Sequence, residues 1–164
     1  MKIHSYIFLF FLFFSCGAGR AQETRKYFFL APGAQTTLGA GGHTSRAYGA
    51  GGGGELSLAP HLGVAFEIGT IIPVQGKTSN TIVGIFSTNG DYHWFTKKTF
   101  DPFITAGYSL IFRNFSANAV NFGLGTNYWF GDDIGLLVEA RDHYGKVQGV
   151  FTHLWEVRVG LTFR

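Results

Sequence analysis

Cysteine and charged residues are scarce in this sequence of 164 residues. The single cysteine, Cys16, excludes a disulfide framework and a zinc site built from cysteines. Charged residues make up only 14% of the chain, whereas an average soluble domain contains about 25%. Aromatic residues reach 17%, and the chain is too apolar and too weakly charged to be disordered. We therefore expect one folded domain.

The excess of basic residues is also small. The formal net charge is +3, but Lys2 and Arg20 lie in an N-terminal segment that we expect to be removed. Without them, 11 basic residues face 10 acidic residues, and the net charge falls to +1. A basic face for nucleic acid is therefore not expected.

The N-terminal segment has the pattern of a secretory signal peptide. Lys2 precedes the apolar run at residues 6–14, and small residues follow. Nine apolar residues are too few for a membrane-spanning helix, which needs roughly 20. We predict a signal peptide over residues 1–21, cleaved after Ala21, and a mature domain over residues 22–164. Two alternatives are a lipoprotein signal with Cys16 acylated and a buried N-terminal helix.

The remaining chain alternates between bulky apolar and small or charged residues. In residues 62–70, Leu62, Val64, Phe66 and Ile68 alternate with glycine, alanine and Glu67. Successive side chains of a β-strand point to opposite faces, so this period of two indicates a strand with two different faces. The same alternation predicts strands at residues 102–113, 118–130, 134–143 and 155–163, and more weakly at 27–31, 46–58 and 81–95.

These eight predicted strands are joined by connections whose lengths tend to alternate. Short turns are expected at residues 59–61 and 131–133, with a somewhat longer one at 97–101. The other connections are predicted at residues 33–45, 73–80, 114–117 and 144–152. Short turns on one side and longer loops on the other are typical of outer-membrane barrels. The glycine-rich residues 49–54 lack a phosphate-loop ending and indicate a bent, closely approached strand.

Alternation alone fits either a soluble barrel with an apolar interior or a membrane barrel with an apolar exterior. The polar face has few lysines and carries charges of both signs. Aromatic residues gather near the strand ends, as in the interfacial belts of membrane barrels, and we assign to these belts Tyr27, Tyr92, Trp94, Tyr128, Trp129, Trp155 and Phe163. An eight-stranded interior is filled by side chains, and paired glutamate and arginine fit there if they satisfy one another. We predict a structural ion network in the lumen formed by Glu55, Glu67, Arg113, Glu139, Arg141, Glu156 and Arg158.

The second half of the chain contains four patterned segments, at residues 102–109, 121–130, 137–143 and 157–164. These segments resemble the small bacterial outer-membrane β-barrel proteins of the OmpA-like and opacity-type superfamily. The resemblance implies an all-β fold, an eight-stranded antiparallel up-and-down transmembrane β-barrel. It also implies export through the secretory pathway and insertion into the outer membrane by the barrel-assembly machinery.

The resemblance further implies a C-terminal assembly signal, in which a terminal strand of alternating hydrophobic residues ends in an aromatic residue. Arg164 follows the aromatic residue, which departs from that pattern. The residues that match the signal are Trp155, Val157, Val159, Leu161 and Phe163.

The sequence gives little evidence for a catalytic site. The deacylase type of eight-stranded barrel uses a histidine with a serine two residues later, but the residue two positions after His143 is Gly145. A nucleophile elbow is also absent. A metal site from Asp142, His143 and His153 is conceivable, because the two histidines could approach each other across a loop. We expect a structural interpretation instead, with no enzyme activity, no metal and no cofactor.

Three functions remain open at this point. The first is a structural or surface-interaction barrel that contacts outer-membrane lipid and uses its outer loops, residues 33–45 and 144–152, for surface ligands. The second is a narrow barrel for transport or sensing of small hydrophobic compounds, although eight strands leave no aqueous channel. The third is a soluble periplasmic carrier resembling a lipocalin.

Overall fold

A computed structural model describes residues 24–38, 43–74, 82–97, 99–113, 116–147 and 149–164. Eight strands pair in chain order, and β1 also pairs with β8, so the antiparallel sheet closes into a barrel. The predicted signal peptide and Cys16 lie outside the described residues. The strands are β1 (Thr24–Leu38), β2 (His43–Ala59), β3 (Leu62–Pro73), β4 (Val83–His93), β5 (Phe100–Phe112), β6 (Ser116–Trp129), β7 (Ile134–Val147) and β8 (Val150–Phe163).

Within the part of the chain that the structure describes, no helix has the length and apolar character needed to cross a membrane.

The two faces of the strands have opposite chemistry. In β3, Ile68 is 64% exposed while the adjacent Glu67 is 3% exposed. The bulky apolar residues therefore form the outer wall, and the small and charged residues point inward. The exposed large side chains in β6 and β8 follow the same rule, as Phe122, Leu124 and Leu161 are all about half exposed or more.

Barrel closure gives the molecule two distinct ends. The termini end holds the start of β1, the finish of β8 and the turns β2–β3, β4–β5 and β6–β7. The loop end holds the other four connections. Two small apolar clusters lie inside the barrel. One, near the loop end, consists of Ala47, Ile71, Ile85 and Leu154; the other, nearer the termini end, consists of Tyr27, Phe29, Phe103 and Leu137.

Several strands extend further than the alternation predicts, and two predicted loops are wrong. The segment 33–45 is mostly strand, because β1 runs to Leu38 and β2 begins at His43. The segment 144–152 is a hairpin paired as far as Val147 and Val150. Main-chain pairing continues past the point where apolar alternation stops, since the ladder needs no particular side chain. The expected alternation of short and long connections is therefore not observed, apart from the longer interval between β3 and β4.

The close approach predicted for the glycine-rich segment of β2 is confirmed. A Cβ added at Gly51 would lie 2.7 Å from the Phe29 ring, and one at Gly53 would lie 2.9 Å from the Tyr27 hydroxyl. Only glycine leaves this space, because any larger residue would have to displace a neighbour. The glycines thus make room for the aromatic side chains of β1.

Candidate functional site

Glu67 is the centre of an ion cluster that crosses the barrel interior. Its two carboxylate oxygens accept hydrogen bonds from Arg141 Nη1 and from Arg158 Nη1, the latter at 2.9 Å. Asn89 Nδ2 donates a third hydrogen bond to Glu67 at 2.8 Å. Glu67 lies on β3, whereas the two arginines lie on β7 and β8 on the other side of the sheet order. The Glu67 side chain therefore links strands that have no main-chain contact.

Each arginine of this cluster also pairs with a glutamate two residues before it. Arg141 Nε donates to Glu139 Oε1 at 2.6 Å, and Arg158 Nε donates to Glu156 Oε2 at 2.5 Å. Residues two apart on a strand share a face, so the spacing places each pair on the inner wall. The main-chain register then sets the two pairs side by side, because Glu139 faces Arg158 and Arg141 faces Glu156 across β7 and β8. We call Glu67, Glu139, Arg141, Glu156 and Arg158 the central cluster.

His143 extends the central cluster towards the loop end. Its Nδ1 lies 2.9 Å from Ser109 Oγ, and its Nε2 lies 3.9 Å from Glu156. Ser109 also accepts a hydrogen bond from Asn121 and contacts Ser87 at 2.8 Å. This chain of polar groups joins buried side chains on four strands to the central cluster.

A second buried cluster lies near the termini end. Arg25 Nη1 lies 3.5 Å from Glu55 and 3.4 Å from Asp101. The ring of His93 contacts Asp101 at 2.9 Å through Nδ1 and Glu55 at 3.1 Å through Nε2. Asp91 lies on the same face of β4 and is also buried. We call these five residues the terminal cluster.

The structure places six of the seven residues predicted for the lumen network inside the barrel, all 5% exposed or less. Glu55 is in the terminal cluster, and the other five form the central cluster. Arg113 is the exception, and its assignment to the lumen is wrong. It follows the last residue of β5 and has an exposed side chain. Once the strand has ended, the alternation of faces no longer fixes the direction of a side chain.

Sequence reasoning missed Arg25, Asp91, His93 and Asp101. Arg25 and Asp101 fall outside the predicted strands at residues 27–31 and 102–113, although each continues the inward alternation of its strand. Asp91 and His93 lie in a segment predicted as a strand, where the alternation of Ser87 and Asn89 with bulkier residues could have assigned them to the inner face.

The predicted approach of His143 and His153 does not occur. His143 is 1% exposed and contacts interior groups. His153 lies on the outer face, as Trp155 does two positions later. His153 Nδ1 contacts Asp142 Oδ2 at 2.8 Å. Adjacent positions on a strand face opposite ways, which separates His143 from Asp142. Among the described residues, no metal-ligand group combines these three side chains.

A small cavity of about 20 Å³ lies in the interior between the two clusters and has room for about one water molecule. Arg25, Glu55, Asp91, His93 and Arg141 are among its lining residues. The buried side chains of the two clusters occupy the lumen on either side of this cavity, as is usual for an eight-stranded barrel.

Aromatic side chains form belts near both ends of the outer wall, but two predicted members are missing from them. Tyr27 and Trp129 are 9% and 3% exposed and point inward. Trp129 lies under Arg164, whose guanidinium carbon is 3.9 Å from the ring centroid. The outer belts contain Tyr92, Trp94, Phe100, Tyr128 and Phe130 near the termini end, and Tyr108, Phe112, Tyr144, Phe151 and Trp155 near the loop end.

The residues of the predicted assembly signal share the outer face of β8. Trp155, Val157, Val159 and Leu161 are between 41% and 49% exposed. Phe163 is partly buried, and its ring packs edge-on against Phe28 with centroids 6.4 Å apart. The last strand therefore presents a continuous apolar face next to the seam that closes the barrel.

Comparisons with known proteins identify the fold. No protein-family model and no curated protein sequence matches the chain. Among solved structures, the neisserial surface protein A is similar, with 14% identity, a TM-score of 0.73 and coverage of 88% of this chain and 99% of that chain. The N-terminal β-barrel domain of Pseudomonas aeruginosa OprF has 16% identity, a TM-score of 0.59 and coverage of 88% and 98%. The attachment invasion locus protein Ail of Yersinia pestis has 13% identity, a TM-score of 0.52 and coverage of 86% and 99%.

All three similar structures are eight-stranded β-barrels of bacterial outer membranes. They share their strand number and closure with this chain, while their low identity leaves the side chains of the interior free to differ. This protein has the closed eight-stranded antiparallel barrel fold of the small outer-membrane proteins.

Proposed function

We propose that this protein is an integral outer-membrane barrel with a structural or surface-interaction role and no catalytic activity. Its export would depend on the signal peptide at residues 1–21, and its insertion on the barrel-assembly machinery. The observation that carries the proposal is the inversion of ordinary globular burial. Glu67 and Arg158 are 3% and 1% exposed, while Phe122 and Leu124 are 58% and 65% exposed.

Lipid is the solvent that fits this distribution of side chains. A monomeric soluble protein rarely exposes contiguous apolar patches above a few hundred Å², whereas here the apolar wall continues around the closed sheet. A closed barrel also satisfies its main-chain hydrogen bonds within the sheet, as hydrocarbon requires. The aromatic belts at both ends match the two interfaces of a bilayer.

The two alternative functions fit the interior less well. A soluble carrier of the lipocalin type needs an apolar cavity for its ligand, but the cavity here is about 20 Å³ and has charged lining residues. Transport of hydrophobic compounds through the barrel would require a path past the central cluster. The outer surface therefore remains the favoured place for contacts with lipid and with surface ligands.

The test is to label single cysteines introduced into the last strand of a protein refolded in lipid vesicles. Val159→Cys and Leu161→Cys should react with a lipid-soluble reagent and resist a water-soluble one, because their side chains face outward. Cysteine at the exposed turn residue Gly131 is the control and should show the reverse. Labelling of Val159→Cys from water would contradict the membrane assignment.

A substitution at the same face tests the energetics. Leu161→Arg should destabilise the barrel in lipid vesicles by about 2–4 kcal/mol if the side chain lies near the middle of the bilayer, and by less near an interface. Unfolding in urea measures this difference, and Leu161→Val is the matched control. A soluble barrel would tolerate Leu161→Arg at no cost, so an unchanged free energy of unfolding would count against lipid contact.

A further inference from the structure

Three metal-ligating side chains converge inside the barrel near the termini end. Glu55 on β2 and Asp91 and His93 on β4 each offer one ligand atom, and these atoms lie within 4.8 Å of one another. All three residues are 7% exposed or less. Among the described residues, this is the one group of three such side chains that meets that spacing. We propose that Glu55, Asp91 and His93 bind a divalent transition metal ion, for which zinc is the best match.

The local fold leaves room for this group. The strand between β2 and β4 is β3, and its Gly63 faces the lumen beside Glu55. A Cβ added at Gly63 would collide with the Glu55 carboxylate. Glycine thus lets the carboxylate lie flat against β3, in the direction of the two ligands on β4.

His93 is held in the orientation that a metal ligand needs. Asp101 Oδ2 lies 2.9 Å from His93 Nδ1, so the ring can donate from Nδ1 and leave the lone pair of Nε2 free. Nε2 lies 3.1 Å from Glu55 Oε1, which is a separation normal for two ligands of one ion. Metal-binding histidines commonly donate their second ring N–H to a carboxylate in this way.

Arg25 is compatible with such an ion despite its closeness. Its Nη1 lies 2.9 Å from both ring nitrogens of His93. A point equally distant from the two nitrogens lies on neither lone-pair axis, because those axes diverge from the ring. Arg25 therefore leaves the Nε2 direction open. Its charge is also shared with Asp101, which it approaches to 3.4 Å.

The charges of the terminal cluster can accommodate a cation. A histidine must be neutral to bind a metal, and with His93 in that state the three carboxylates of Glu55, Asp91 and Asp101 outnumber the one guanidinium of Arg25 by two. A buried charge without a partner is costly, and one divalent ion would neutralise this excess. Within the described part of the chain, Asp91 Oδ1 is buried without a hydrogen-bond partner.

The space and the distances also fit an ion. Asp91, Glu55 and His93 line the 20 Å³ cavity, which has room for one water-sized species such as a metal ion. Zinc binds nitrogen and carboxylate oxygen at about 2.0–2.2 Å, so two of its ligands are at most about 4.3 Å apart. The three ligand atoms lie within 4.8 Å of one another, so the group needs at most a small side-chain rotation to reach the spacing of zinc ligands.

The experiment is a titration of the tag-free barrel, refolded in detergent and stripped of metal, with zinc chloride and then with cobalt chloride. Calorimetry should give one zinc per chain, and cobalt should give an absorption spectrum of a nitrogen and oxygen site. Asp91→Asn and Glu55→Gln should each weaken zinc binding at least tenfold. Asp101→Asn, which changes the carboxylate that contacts both His93 and Arg25 but is not a proposed ligand, should weaken it by roughly 10–100-fold.

His143→Gln and His153→Gln are the controls, because each removes a histidine outside the terminal cluster. Both should bind zinc with the affinity of the original chain. Heat-modifiable migration on a detergent gel confirms that each variant is folded, and Asp91→Asn decides the outcome if Glu55→Gln fails to fold. Absence of saturable zinc binding would overturn the proposal. Binding that persists in Asp91→Asn but is lost in His153→Gln would also overturn it, since the ion would then be on the outer wall.

Discussion

Removal of the Glu67 carboxylate is the most direct test of the central cluster. Glu67 links β3 to Arg141 on β7 and Arg158 on β8, and Asn89 donates a further hydrogen bond to it. In Glu67→Leu, these three donors lose their shared acceptor inside a closed barrel. Leucine is similar in size to glutamate, so the lost interactions, and not a lost volume, should determine the change in the free energy of unfolding.

The expected magnitude follows from the burial of the partners. Arg141 and Arg158 are 3% and 1% exposed, so water does not replace the missing carboxylate. Breaking a buried ion pair by removing one partner costs about 3–5 kcal/mol. Glu139 and Glu156 still pair with the two arginines, which places the expected loss for Glu67→Leu near the lower value, about 3 kcal/mol.

Glu67→Gln removes the negative charge of the side chain but keeps its shape, so it measures the contribution of the charge and of the second acceptor oxygen. Two donors, Asn89 Nδ2 and Arg141 Nη1, contact one oxygen of Glu67, and Arg158 Nη1 contacts the other. An amide offers only one oxygen, so in either orientation its NH₂ group faces a donor. A buried donor left without an acceptor costs about 1–3 kcal/mol, and we expect Glu67→Gln to lie in that range.

The assay is equilibrium unfolding in urea of the barrel in lipid vesicles, followed by tryptophan fluorescence. Ile68→Val, on the outer face of the same strand, is the matched control and should change the free energy of unfolding little. The double variant Glu67→Leu with Arg141→Leu measures the coupling, which we expect to be about 0.5–3 kcal/mol. The reasoning fails if Glu67→Leu unfolds at the same urea concentration as the original chain, or if the two substitutions are additive.

Three further predictions concern packing at the barrel ends and the closed interior. Arg164→Ala should lower the free energy of unfolding by about 0.5–2 kcal/mol, because it removes the guanidinium 3.9 Å from the Trp129 ring; equal stability would show that this contact contributes nothing. Gly53→Ala should cost about 1–3 kcal/mol, since the added Cβ would lie 2.9 Å from the Tyr27 hydroxyl, whereas Gly131→Ala, with nothing within 4 Å, is the neutral control in the same urea titration. Planar bilayers containing the refolded protein should show no steady conductance, because side chains fill the interior, and a stable open channel would contradict this.

Alternation in the sequence determined much of the fold. It predicts eight strands, and all eight are present, because a period of two describes the local geometry of a strand. It also assigns Glu67, Glu139, Arg141, Glu156 and Arg158 to one face, and the structure places all five inside. The choice of the inner face rests on physical chemistry, since charges are less costly when they meet one another than when they meet an apolar solvent.

The limits of each strand were harder to predict. Arg25 and Asp101 lie at the starts of β1 and β5, just outside the predicted strands, and Arg113 lies just beyond the end of β5. Main-chain pairing with the neighbouring strand sets these limits, and pairing is not visible in the side-chain pattern of one strand. This pairing explains why Arg25 and Asp101 point inward and why Arg113 is exposed.

The sequence by itself therefore determined which side chains share a face, while only the tertiary structure decided which of them meet. Glu67 reaches arginines more than 70 positions away, and His93 lies between Glu55 and Asp101. These contacts depend on how eight strands stagger as the sheet closes, because stagger sets the height at which side chains face each other across the lumen. Local alternation carries no information about that height, so the ion clusters and the candidate metal site emerge only in the closed barrel.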